Sequence, residues 1–60
     1  MKKITIKELE LGMRIRIHDN SKSDQWIVLD VGHPFVLLEN TRTHFAHLYH
    51  YHEFYVENGN

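Results

Sequence analysis

Apolar and polar residues alternate from Leu9 through Leu11 and Met13 to His18, and the alternation returns after each turn signal. A period of two is the signature of strands with one buried face. It sets Met13, Ile15 and Ile17 on one side and Arg14, Arg16 and His18 on the other. The same reading predicts strands over 4–6, 13–18, 25–31, 35–39 and 53–57, with Gly12 closing a loop or single turn after the first. The polar run 19–24 is rich in turn formers and makes the second and third strands a hairpin. Phe35-Val36-Leu37-Leu38 is apolar on both faces, which puts that strand centrally or beneath a loop. In the last strand Phe54 and Val56 are expected inward, Tyr55 and Glu57 outward.

Segment 44–52 is ambiguous in period. Phe45, Leu48, Tyr49 and His52 fit a helical stripe, and we expect a short helical turn with extended flanks before the last strand. No linker or repeat divides the chain, so residues 1–60 read as one small domain with a frayed tail over 58–60.

The expected fold is all-β: a small five-stranded antiparallel sheet curled into a barrel, since curling hides edges that invite aggregation. Leu9-x-x-Gly12-Met13-x-Ile15-x-Ile17, the strand from Trp26 to Val31 and Phe54-Tyr55-Val56 resemble the SH3-like small barrels, a group that includes KOW and Tudor modules. The resemblance spans nearly the whole chain and implies a non-catalytic binding scaffold. The aromatic N-terminal motif and paired tryptophans of peptide-binding SH3 domains are missing, so binding of proline-rich ligands is not implied.

Sixty residues bury only about 60% of the surface of the unfolded chain. Without cysteine there is no disulfide to compensate and no thiolate metal site, which suits a reducing cytoplasm. No stretch reaches the roughly 20 apolar residues that span a bilayer, and no membrane partner is expected. Net charge is −1 but uneven: residues 1–17 carry five cations against two acids, and residues 18–60 carry two against six.

Catalysis finds little support. Serine occurs only at Ser21 and Ser23, inside the polar turn, and Gly12, Gly32 and Gly59 are too scattered for a phosphate loop. Imidazoles at His44, His47, His50 and His52 suit zinc, nickel or copper, yet their spacing meets no finger or protease pattern. They read as a polar rim, and no metal or cofactor is expected.

If Ile27, Leu29 and Val31 point inward, Trp26 and Val28 point outward beside the next strand. The candidate partner-binding face is then Arg14, Arg16, His18, Trp26, Val28 and Tyr55. Aromatics and arginine dominate interface hot spots. The residues leave open that Trp26 instead plugs the core. The expected function is protein binding, as a small regulator or inhibitor of a host protein. Usage of Lys, Ile, Asn and Glu in a minimal Met-initiated chain points to a bacteriophage or mobile element. The alternative is nucleic-acid binding through Lys2, Lys3, Lys7, Arg14 and Arg16 with Trp26 stacking on bases. Pairing with a second copy is a further expectation, through an open edge at 54–57 or the surplus apolar positions of 35–38.

Overall fold

The computed structural model describes residues 1–32, 34–50 and 53–57. It is all-β, with two antiparallel sheets that do not close into a barrel. Strands β1 (Lys2–Thr5), β2 (Arg14–Ile15), β3 (Trp26–Val31), β4 (Val36–Asn40), β5 (Ala46–Tyr49) and β6 (Glu53–Val56) follow in chain order. β1 pairs with β6 in one sheet, and the other runs β2-β3-β4-β5. Arg16 and Tyr55 join them by a reciprocal pair of backbone hydrogen bonds, both 2.8 Å.

Six strands rather than five are therefore present among the described residues. The extra one is β5, where a helical turn was expected. Its residues pair in register with β4, Leu37 opposite Leu48 and Glu39 opposite Ala46. The ladder with a central strand outweighs the weak helical stripe, as tertiary context commonly overrides local propensity. The helical turn that does occur is a 3-10 turn at Ile6–Glu8, after β1, where the Glu8 carboxylate accepts the Thr5 backbone N–H at 2.7 Å. Gly12 takes φ +86° while its N–H donates to the Val28 carbonyl at 2.8 Å, and such a φ is adopted freely only by glycine.

The core lies where the two sheets meet. Ile4 and Phe54 from the small sheet join Ile15, Trp26, Val28, Val36 and Leu38 from the large one, with Ile6 and Leu9 closing an end. Met13, Ile17 and Val56 pack against this cluster as the alternation predicts. Trp26 and Val28, expected outside, are 7% and 1% exposed, whereas Leu29, expected inside, is 40% exposed.

A β-bulge lets both halves of β3 bury apolar residues despite Asp30. Val28 pairs with Leu38 and Asp30 with Leu37, so Leu29 is the extra residue and the inward phase shifts from Trp26 and Val28 to Val31. Nor is the last strand an open edge. β6 lies between β1 and the Arg16 bridge, and the outer strands are β1 and β5.

Candidate protein-binding face

Because side chains alternate across a sheet, the burial of Val36, Leu38 and Asn40 turns Leu37 and Glu39 to the opposite, outer face. Their partners follow them. Leu37 stands opposite Leu48 and Glu39 opposite Ala46, while on the other side Ile27 lies between Glu39 and Arg14. Just beyond the start of β4, the Phe35 ring packs against the His50 imidazole, centroids 5.1 Å apart. The outer face thus carries an apolar cluster of Phe35 (47% exposed), Leu48 (64% exposed) and half-buried Leu37, with half-buried Ile27 diagonal to Leu37 and exposed Leu29 in the adjacent bulge. Charged groups stand among them: Asp30 is opposite Leu37, and Arg14 and Glu39, the latter with its His44 partner at 3.2 Å, flank Ile27.

Of the residues expected to bind, Arg14 belongs to this face. Arg16 does not: it is half-buried, its Nε donates to the Ser23 carbonyl at 3.1 Å, and its guanidinium pairs with Glu57. Tyr55 sits opposite Arg16 on the small sheet, half-buried, and exposed His18 lies beyond the bridge. Trp26 and Val28 lie in the core and have no surface role. The Trp26 indole instead meets Tyr49 and His47 edge-on, at 5.1 and 5.8 Å. Ile27 was expected inward and Leu48 on a helical stripe, and neither was placed on a partner-binding face. Only the doubly apolar run at Phe35 to Leu38 signalled an exposed apolar surface, there as a face for a second copy.

The histidines are dispersed by the strand. Residues 47 and 50 are an odd number apart and fall on opposite faces of an extended chain. His47 lies toward Trp26, His50 against Phe35 and His44 against Glu39. Candidate ligand His52 and the tail over 58–60 lie outside the described residues. Among the described residues no group of three or more His, Asp or Glu side chains is placed to hold a metal ion.

The hairpin leading into β5 is held by a polar knot. Buried Asn40 donates through Nδ2 to Asp24 at 3.0 Å and accepts the backbone N–H groups of Arg42 and Thr43 at 2.8 and 3.0 Å. Arg42 adds two hydrogen bonds to the Asp24 carboxylate, which, with the Asn40 amide, holds its carboxyl below the usual range. A depressed carboxyl pKa contributes stability above its unfolded value and loses it as pH falls through the folded one. We therefore expect stability to fall below about pH 4 partly through this group. Urea midpoints should decline less steeply between neutral and acid pH in Asp24→Asn than in the native chain; equal slopes would contradict the role assigned to Asp24.

Among the described residues no helix is long and apolar enough to cross a membrane. Comparison with protein-family models, curated proteins and solved structures finds no match for this chain.

Proposed function

We propose that this chain is a non-catalytic protein-binding module, a small regulator that works by occupying a partner's surface with the outer face of its four-stranded sheet. The observation that carries the reading is the pair of exposed residues Phe35 and Leu48 beside half-buried Leu37 and Ile27, set among the mixed charges of Arg14, Asp30 and Glu39. Apolar centres ringed by polar residues are what protein interfaces use. The SH3-like resemblance points the same way, toward a small β scaffold whose exposed face does the binding, and inhibition of a host protein is the simplest form of such occupancy.

Nucleic-acid binding is the weaker reading. Three of the seven cations are engaged with carboxylates, Lys3 with Glu53, Arg16 with Glu57 and Arg42 with Asp24. The tryptophan proposed for base stacking is buried.

Salt separates the two. Phosphate contacts weaken steeply between about 50 and 200 mM salt, while apolar contact persists. With the chain immobilised and the lysate treated with nuclease, a discrete protein should be retained across that range. Phe35→Ser should reduce its retention at least tenfold while leaving the thermal midpoint within a few degrees, because Phe35 is outside the core. Retention abolished by nuclease, or unaffected by Phe35→Ser, would overturn the proposal.

A further inference from the structure

Strand β5 ends the large sheet, and among the described residues it pairs only with β4. The hydrogen bond from the Asn40 N–H to the Phe45 carbonyl, 2.9 Å, sets the phase of that ladder. Hydrogen-bonded and non-bonded pairs alternate in an antiparallel ladder. Leu38 with His47 and Val36 with Tyr49 are then the bonded pairs, and the backbone N–H and C=O groups of Ala46 and Leu48 point away from β4. These groups are placed to bond another extended backbone, as in strand addition.

The two outer strands differ in how they are guarded. β1 carries Lys2 and Lys3, charges of the kind that discourage edge pairing. β5 reads Ala46-His47-Leu48-Tyr49, with no Lys, Asp, Glu or Pro, and Leu48 is 64% exposed.

From this we infer that β5 pairs antiparallel with β5 of a second copy about a two-fold axis at Leu48. A two-fold perpendicular to the sheet must put like faces together, so residues an even number apart pair and Leu48 meets its own counterpart. Backbone bonds then run between the two Leu48 residues, from the groups left open on each edge. On the outer face the strips of Phe35, Leu37 and Leu48 become one continuous apolar band. On the inner face Tyr49 of one copy lies opposite His47 of the other, extending the aromatic set around Trp26. No like charges meet among the paired residues 46–50. Identical strips joined without charge conflict favour a second copy over a foreign strand. So short a strand buries far less than the roughly 800 Å² per partner of a standard interface, and the dimer is accordingly weak and concentration-dependent. This inference goes beyond the proposed function and concerns a different partner.

Sedimentation velocity of the native chain from about 10 µM to about 1 mM should show a rising dimer fraction, the range expected of so small an interface. Leu48→Lys should remain monomeric throughout with an unchanged strand spectrum. Because the chain has no cysteine, single cysteines test the register. Leu48→Cys should cross-link on mild oxidation at least tenfold faster than Ala46→Cys. In this register the two residues at position 46 are offset by four positions, about 13 Å along the strand, beyond disulfide reach. A native chain monomeric at the highest concentration, including one that accepts only a foreign strand, would overturn the inference, as would equal cross-linking of the two variants. Neither result would disturb the proposed function if nuclease-resistant capture sensitive to Phe35→Ser persists.

Discussion

Replacing Trp26 by alanine is expected to leave this chain largely unfolded at room temperature. The indole is 7% exposed, in the cluster with Ile15, Val28 and Leu38, and makes edge contacts with Tyr49 and His47. Truncating a buried Trp costs about 3–5 kcal/mol in lost transfer and residual cavity. A chain of 60 residues has a total stability of about 3–9 kcal/mol by the usual per-residue range, so the loss consumes most of it. Far-UV circular dichroism and urea titration of Trp26→Ala against native protein measure this directly. Trp26→Phe, which keeps most of the packing, should fold with a reduced midpoint. An alanine variant as stable as the native chain would mean that the ring is at the surface and that β3 has the opposite phase.

The second large effect is at Asn40. Its side chain is the only polar one buried among the described residues, and it satisfies three groups at once, the Asp24 carboxylate and the N–H groups of Arg42 and Thr43. These bonds shape a turn in which the His44 N–H reaches the Asn40 carbonyl at 2.7 Å and His44 adopts φ +65°. A non-glycine residue there is held by its surroundings against a local preference for negative φ. Alanine removes the acceptor and the donor together, and we expect a loss of about 2–3 kcal/mol. Asn40→Asp keeps the acceptor for the turn but sets a second carboxylate beside Asp24, so it should also be destabilised and should recover partly toward acid pH. The urea midpoint reads both. An Asn40→Ala midpoint equal to native would show that the turn is shaped by its backbone alone.

The sequence made much of this plan legible, unevenly and for physical reasons. Where one face of a strand is buried and the other wet, alternation suffices: Ile15, flanked by Arg14 and Arg16, is 1% exposed, and Phe54 between Glu53 and Tyr55 is fully buried. In the strand at Trp26 to Val31 the phase of Ile27, Leu29 and Val31 is wholly apolar whereas that of Trp26 and Val28 ends in Asp30, so its own residues favour the wrong face. The choice comes from Val36 and Leu38 on β4, and the bulge at Leu29 is the local price of fitting both halves of β3 to them. For β5, a four-residue strand with two aromatic rings and a leucine fits either period, and only pairing with β4 decides. The expected site suffered most from this. With β3 reversed, Trp26 and Val28 passed into the core, while Ile27 joined Arg14 and Glu39 on the outer face. Arg16 was lost to the site through Glu57, far along the chain, a pairing that no local pattern encodes.

A protein partner is proposed to bind the outer face of the four-stranded sheet. The most direct test is an amide and methyl shift map of isotope-labelled chain titrated with the protein it captures. Perturbations should centre on Ile27, Phe35, Leu37 and Leu48, with Lys2, Lys7 and His18 little affected. Perturbations centred instead on the cations of the first 17 residues, with Phe35 and Leu48 unchanged, would contradict the proposal.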